Sequence, residues 1–146
     1  MARLSVEATG TARADPETVW ALVADATSYP RWGPWDEGGY ERPGDESPHG
    51  AGAVRWLRWG RTTTVERLLE VDDGRRVAYT VVRGIPVRNY RAEVTLTALE
   101  SGTRVDWTAA WDRTLAGRVV QWKLRTVYPE VVARLVAAAD RGASAA

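Results

Sequence analysis

The chain has 146 residues, with 20 basic and 19 acidic side chains and a net charge of +1. This length is typical of one domain with a proper core, and the balanced charge argues against a nucleic-acid partner. The lack of cysteine excludes disulfides, thiolate metal sites and a cysteine nucleophile.

The two ends of the chain set the expected boundaries. The N-terminal residues form no apolar signal region, and the sequence has no stretch of 18 uninterrupted apolar residues. We therefore expect a cytoplasmic protein without stable membrane insertion. Residues 1–141 are predicted to form a single domain, and the small, polar residues 142–146 a flexible tail.

The aromatic composition is the strongest functional signal. The chain has eight tryptophans, no phenylalanine and one histidine, and four of the tryptophans (Trp56, Trp59, Trp107 and Trp111) fall on strand-like segments. Indole rings are broad, and each carries an N–H group that needs a partner when buried. This pattern favours a pocket lined for a partly apolar ligand, and a core that simply lacks other aromatics is the alternative.

The first elements are a strand and a capped helix. Residues 4–12 alternate loosely between apolar and polar, which predicts a strand. Asp15 and Pro16 then stand at the N-cap and first helical positions, a strong helix start. A second short helical piece is expected at 26–29, ended by Pro30.

The middle of the chain predicts consecutive antiparallel strands. A short strand near Tyr40 precedes a loop over 42–52 that is rich in glycine, proline and polar residues. Five further strands are then expected, at 53–59, 62–71, 75–83, 89–99 and 103–112. Turn signals at Asp72-Asp73-Gly74 and Ser101-Gly102 make tight hairpins of their neighbours.

The last element is a long amphipathic helix over about 115–140. Its apolar face at helical spacing comprises Val120, Leu124, Val127, Tyr128, Val131 and Leu135. Pro129 lies inside this pattern, where we expect a kink. Val119 and Trp122 point away from the main apolar face.

These elements and four local patterns resemble one known family. The first pattern is Asp15–Trp20 followed by Tyr29–Trp32, and the other three are Gly52–Arg55, Tyr79–Tyr90 and Gly102–Trp107. They are similar to the polyketide cyclase/dehydrase family of the START-like (SRPBCC) superfamily, over essentially the whole chain. The resemblance implies an α+β helix-grip fold, in which a seven-stranded antiparallel sheet wraps around the C-terminal helix and two short helices follow the first strand. It also implies a bacterial protein with a hydrophobic internal cavity.

The residues offer no recognisable catalytic machinery. No serine stands in a nucleophile elbow, and a single histidine cannot form the usual multi-histidine metal site. Dinucleotide and phosphate-loop motifs are also absent from the sequence. We therefore expect neither a metal nor a cofactor, and the catalytic residues stay unknown.

Strand parity gives a set of candidate ligand-binding residues. Val105, Trp107, Ala109 and Trp111 share the apolar face of the last strand, and the same argument turns Tyr79, Arg88 and Tyr90 inward. The strand from Ala53 is ambiguous, and we favour Val54 and Trp56 over Arg55, Leu57 and Trp59 as its inner face. The complete candidate set is Trp35, Asp36, Trp56, Tyr79, Arg88, Tyr90, Trp107 and Trp111.

Each candidate has a chemical reason and an alternative. Arg88, or Arg83 nearby, can bind a ligand carboxylate or enolate, or can simply be solvated at a strand end. Tyr79 and Tyr90 can donate to a ligand carbonyl or be core tyrosines. Asp36 is the best carboxylate near the cavity, with a surface turn as the alternative, and His49 is an acid–base candidate only if its loop closes over a ligand.

Three functions follow from these features. The first is a protein that binds a hydrophobic or aromatic small molecule, polyketide- or lipid-like, as a monomer or homodimer. The alternative is an aromatase/cyclase-type enzyme that promotes aldol cyclisation and dehydration of a polyketide by positioning it in a dry cavity. The third is an interaction module, favoured if Trp32, Trp35 and Trp122 are exposed together. Ligand entry is expected at the loop 42–52, with the turn Gly84-Ile85-Pro86 as the second candidate and Ile85 as its apolar plug.

Overall fold

The computed structural model describes residues 3–145, and the side chains as far as Gly142. Its helices are α1 (Pro16–Ala24), α2 (Tyr29–Trp32) and α3 (Leu115–Ala145), with a 3-10 turn at Ala26–Ser28. Its strands are β1 (Arg3–Ala12), β2 (Glu37–Arg42), β3 (Val54–Trp59), β4 (Thr62–Asp72), β5 (Arg76–Arg83), β6 (Arg91–Leu99) and β7 (Gly102–Asp112).

The strands form one antiparallel sheet in the order β1-β7-β6-β5-β4-β3-β2. From β2 to β7, each strand pairs with the next strand in the sequence. Strand β1 pairs with β7 and forms one edge of the sheet. The long helix α3 packs along β1 and β7, and it faces the other strands across a cavity. This is the helix-grip arrangement expected from the sequence.

Local sequence signals explain the start of the fold. Asp15 caps α1, accepting a 2.9 Å hydrogen bond from the Thr18 backbone N–H, and the hydrogen bonds from Thr18 lower the pKa of this carboxyl. The expected stop at Pro30 is wrong, because this proline lies in the first turn of α2. No N–H donor is needed there, so proline starts a helix as readily as it ends one.

The hairpin turns occur where the sequence predicts them. Asp72 accepts a 2.9 Å backbone hydrogen bond from Arg75, and Gly74 adopts a φ of +81° in this turn. Gly102 begins β7 with a φ of +134°, and a Cβ there would lie 2.0 Å from the Ala12 carbonyl oxygen. Only glycine fits this close approach of β7 to β1.

The inner faces of most strands are as expected. Val105, Trp107, Ala109 and Trp111 of β7 are all buried. On α3 the predicted apolar face packs into the core, and the helix continues through Pro129. The sequence predicts a flexible tail at 142–146. In the structure α3 runs to Ala145, and Ala146 lies outside the described residues.

The sequence-based prediction of which face of β3 points inward is wrong. Arg55 and Leu57 are buried with 1% and 4% of their surface exposed, whereas Trp56 is half-buried on the outer side. There its ring covers Gly39, where an added Cβ would lie 2.9 Å from the indole. The buried arginine misled the parity argument, because a charged residue normally marks the outer face of a strand.

Within the described residues, no helix is long and apolar enough to cross a membrane.

Candidate ligand-binding cavity

A cavity of about 650 Å³ lies between the sheet and α3. Its sheet wall is built by inward side chains of β3, β4, β5 and β7, and its opposite wall by α3. Leu57, Val81 and Trp107 contribute apolar surface from the sheet, and Leu124, Val127 and Val131 from the helix. The volume falls in the range of small-molecule sites, and the walls are largely hydrophobic, as in such sites.

Aromatic side chains surround the mouth of the cavity. Trp59 on β3 is 43% exposed and Trp122 on α3 is 73% exposed, and both line the opening. Trp35 joins them and packs in turn on Tyr29 and Trp32, at ring-centroid distances of 5.1 and 5.6 Å. The mouth therefore offers indole faces to an entering apolar ligand.

A buried ion pair closes the inner end. Arg55 donates from Nε to Glu66 Oε1 at 2.8 Å, and from Nη1 to the Tyr29 hydroxyl at 3.2 Å. Its guanidinium also lies 5.2 Å from the Tyr29 ring and 4.7 Å from the Tyr79 ring. Arg55 stands behind this wall, while Glu66 faces the cavity, so the carboxylate is the part of the pair that a ligand can reach.

The pair shifts the ionisation of both partners. Burial raises the pKa of Glu66, and the adjacent Arg55 charge opposes that rise. For Arg55, burial alone would lower the pKa, but Tyr29 and Glu66 outweigh it and raise the pKa. The guanidinium thus stays charged, and the buried positive charge is balanced by Glu66.

Tyrosine hydroxyls line the same end. Tyr79 accepts a 3.0 Å hydrogen bond from Trp107 Nε1, and the Tyr90 and Tyr128 hydroxyls bond each other. Burial is the main cause that raises the pKa of all three phenols. These groups therefore remain protonated at neutral pH and act as neutral hydrogen-bonding groups.

Four of the eight sequence-derived site residues line the cavity: Trp35, Tyr79, Tyr90 and Trp107. They come from four different parts of the chain, the segment after α2, β5, the residue before β6, and β7. Tyr79 and Trp107 lie within strands, and for them the alternation of inward and outward side chains was enough to predict the inward position.

The other four lie elsewhere. Asp36 is exposed, accepting from the Gly60 backbone N–H at 2.7 Å, and Trp56 is on the outer face. Arg88 is exposed as well, because residues 84–90 precede β6 rather than extend it, and parity fails outside a strand. Trp111 is fully buried below the cavity, where it donates to the Gly117 carbonyl and stacks on Tyr90.

His49 and its loop lie outside the cavity wall. The histidine ring packs 5.1 Å from Tyr40 and its Nε2 lies 4.0 Å from Asp25. The loop 42–52 is tied down by backbone hydrogen bonds, among them Gly52 to Leu68 at 2.9 Å. Ile85, from the second candidate entry segment, does line the cavity.

The sequence reasoning missed Arg55, Glu66 and Tyr128 as parts of the site. A usable signal was present, since Arg55 and Glu66 are equidistant from the turn at Gly60 and Arg61. Such spacing places two residues opposite each other in a hairpin, as the observed pairing of Arg55 with Glu66 shows. Opposite charges at paired, inward positions indicate a buried ion pair.

A second depression, of about 580 Å³, is less suited to an apolar ligand. Arg3, Glu7, Arg91 and Glu93 are among the residues that line it, and Arg91 and Glu93 pair at 3.0 Å. Charged side chains dominate its lining, so the more apolar cavity under α3 is the better candidate site for such a ligand.

No cluster of three or more potential metal ligands occurs in the part of the chain that the structure describes. The polar groups that line the cavity are the Glu66 carboxylate, the Lys123 ammonium, tyrosine and threonine hydroxyls, and indole N–H groups.

Comparison with solved structures places this architecture in a class. A START superfamily protein from Mycobacterium smegmatis aligns with a TM-score of 0.79 at 13% identity, covering 94% of this chain and 97% of that one. The Zhui aromatase/cyclase from Streptomyces sp. R1128 aligns with a TM-score of 0.75 at 21% identity, over 96% and 95% of the two chains. A Thermobifida fusca protein gives a TM-score of 0.77 at 26% identity, over 94% and 93%. The fold is thus the START-like helix-grip fold.

The sequence itself gives the narrower assignment. A profile of the family described as "Polyketide cyclase / dehydrase and lipid transport" matches residues 3–140. The chain belongs to this family, as the resemblance of its motifs implied. No curated protein sequence matches it.

Proposed function

We propose that the protein binds a hydrophobic or aromatic small molecule, polyketide- or lipid-like, in the cavity between the sheet and α3. The observation that carries the proposal is the cavity of about 650 Å³, with apolar walls and a single buried polar end. Membership of a family described as polyketide cyclase / dehydrase and lipid transport supports the same conclusion.

Tryptophan fluorescence tests this proposal, because four of the indole rings line the cavity. A polycyclic aromatic probe such as 1-hydroxypyrene should quench the emission saturably, with a dissociation constant of about a micromolar. The melting temperature should rise with probe concentration, since a ligand that binds only the folded state stabilises it. Linear, non-saturating quenching with an unchanged melting temperature would refute the proposal.

A second candidate function is catalysis of the aromatase/cyclase type. It is favoured by the polar groups at the inner end, where Glu66, Tyr79, Tyr90 and Tyr128 meet. A carboxylate can accept a proton from an acidic carbon, and phenols can donate hydrogen bonds to the carbonyl under attack. Incubation with a linear poly-β-ketone thioester should then give the aromatic product faster than buffer alone, and Glu66→Gln should abolish the difference.

The proposed setting is the cytoplasm, with the protein working as a monomer or homodimer on a small-molecule partner. The near-zero net charge supports a role without nucleic acid. Analytical ultracentrifugation with and without the pyrene probe would give the oligomeric state and its dependence on ligand.

A further inference from the structure

The charged groups of the cavity are unevenly placed. Among the described residues that line it, Glu66 and Lys123 carry charge, Glu66 beside Tyr79 at the inner end and Lys123 beside Trp122 at the mouth. Only a group that enters the cavity first can reach Glu66. The inner end therefore selects the leading group of a ligand.

Glu66 has unused capacity to accept hydrogen bonds. Its Oε1 accepts from Arg55 Nε, and the side chain keeps 10% of its surface exposed, on the cavity side. A carboxylate has about four acceptor positions, so one bond to Arg55 leaves room for a ligand donor. Tyr79 accepts from Trp107, and the Tyr90 and Tyr128 hydroxyls bond each other, so these neutral phenols compete less strongly than the Glu66 carboxylate for a ligand donor.

The charge balance then decides which donor fits. A ligand carboxylate at this end would be an uncompensated buried charge, because Arg55 and Glu66 already balance each other and the unpartnered Nη2 of Arg55 lies behind the cavity wall. An ammonium group would also be disfavoured, because Arg55 already neutralises Glu66 and a further buried cation would be uncompensated. A neutral donor makes the hydrogen bond without adding charge.

We infer that the ligand carries a neutral hydroxyl group, phenolic or alcoholic, which enters first and donates a hydrogen bond to Glu66. Its apolar body then lies against Trp107, Val81 and Val127, and its far end lies near Trp59 and Trp122. This inference rests on the proposed function and adds to it the chemical class and the orientation of the ligand.

Three matched probes test the inference on the unmodified protein: 1-hydroxypyrene, 1-methoxypyrene and pyrene-1-carboxylate at pH 7. Their rings are the same, and only the first combines neutrality with a donor. A hydrogen bond to a charged acceptor contributes enough that 1-hydroxypyrene should bind about tenfold more tightly than 1-methoxypyrene. The carboxylate should bind more weakly than 1-hydroxypyrene.

The outcomes separate this inference from the proposed function. If the methyl ether or the carboxylate binds as tightly as 1-hydroxypyrene, the inward hydroxyl is wrong while the cavity still binds ligands. If no pyrene binds saturably, the proposed function fails and the inference fails with it.

A variant pair identifies the acceptor. In Glu66→Gln the preference for 1-hydroxypyrene over 1-methoxypyrene should fall from about tenfold to about onefold, since an amide presents a donor as well as an acceptor. Glu70→Gln is the matched control, because Glu70 is exposed on the same strand and pairs with Arg76. A tenfold preference that survives in folded Glu66→Gln, checked by circular dichroism, overturns the role of Glu66. If Glu66→Gln does not fold, the probe series on the unmodified protein decides alone.

Discussion

Arg55 and Glu66 lie directly opposite each other on β3 and β4, with Nε of the arginine 2.8 Å from Oε1 of the glutamate. The guanidinium carbon lies 5.2 Å from the centre of the Tyr29 ring and 4.7 Å from the centre of the Tyr79 ring. The pair thus joins α2, two strands and the cavity wall in one contact. Its removal should affect both stability and binding.

Loss of one partner should be costly. Arg55→Met leaves Glu66 buried without its partner, which should lower the free energy of unfolding by about 3–5 kcal/mol. The double variant Arg55→Met/Glu66→Leu should recover much of that loss, since two apolar side chains need no charge partner. Urea unfolding measures both values.

The control for this cycle is Arg134→Met, which breaks the exposed pair with Glu130 one turn away on α3. It should change stability by about 0.5 kcal/mol or less. If Arg55→Met and Arg134→Met lowered the free energy of unfolding equally, the buried pair would contribute no more to stability than the exposed one, which would contradict this account.

Alkaline pH should unfold the protein through its tyrosines. Burial raises the pKa of Tyr29 from 10.0 to about 12, and it also raises the pKa of Tyr79, Tyr90 and Tyr128. The unfolded chain releases these protons near pH 10 while the folded chain keeps them. Stability is therefore full below pH 10 and falls between pH 10 and 12, by about 1.4 kcal/mol per pH unit for each such tyrosine.

Absorbance at 295 nm, which follows phenolate formation, checks this expectation. The phenols should ionise together with the loss of the far-ultraviolet helix signal. Arginine stays charged in this range, and Lys123 is the only lysine, so few other groups contribute. Ionisation of all phenols near pH 10 in a protein that remains folded would contradict the burial described.

The orientation of β3 has a direct consequence for binding. Trp59 lines the mouth and Trp56 lies on the outer face, so Trp59→Ala should weaken pyrene binding about threefold to tenfold. Trp56→Ala, three residues away on the same strand, should leave the dissociation constant unchanged. If Trp56→Ala weakened binding and Trp59→Ala did not, the inner face of β3 would be the one that the sequence favoured.

Ligand entry should involve the segment that contains Ile85. Ile85 lines the cavity, and the preceding Gly84 adopts a φ of +115° beside Thr63 and Thr64 of β4. Amide exchange over residues 84–88 should be fast in the free protein and should slow when a pyrene is bound. The loop 42–52, which holds its own hydrogen bonds, serves as the internal reference and should change less.

The sequence predicted the architecture well, because its signals are local. The Asp15 cap, the turn at Gly74 and the two-residue period of β7 each depend on neighbouring residues, and all are confirmed. They also carry the family resemblance, which the profile match confirms. The element order and the inward face of β7 followed from these signals, whereas the inward face of β3 did not.

The site was only half predictable, because its other half depends on contacts between distant residues. Arg55 is buried through Tyr29, Glu66 and Tyr79, which lie 26, 11 and 24 positions away in the sequence. Arg88 was assigned inward by extending β6 too far toward the N-terminus. Neither the burial of Arg55 nor the exposure of Arg88 follows from the alternation of apolar and polar residues within one strand.

Blocking the cavity is the most direct test of its role as the ligand site. In Val81→Trp/Val127→Trp two bulky rings enter the cavity, one from β5 and one from α3. The control Val82→Trp/Val119→Trp adds the same rings at exposed positions of the same two elements. Both variants should be folded by circular dichroism before 1-hydroxypyrene is titrated. We expect the first to lose at least about tenfold in affinity, a cost of about 1.4 kcal/mol, and the second to bind as the unmodified protein does. Unchanged affinity in both would place the ligand outside the cavity and contradict the proposed function.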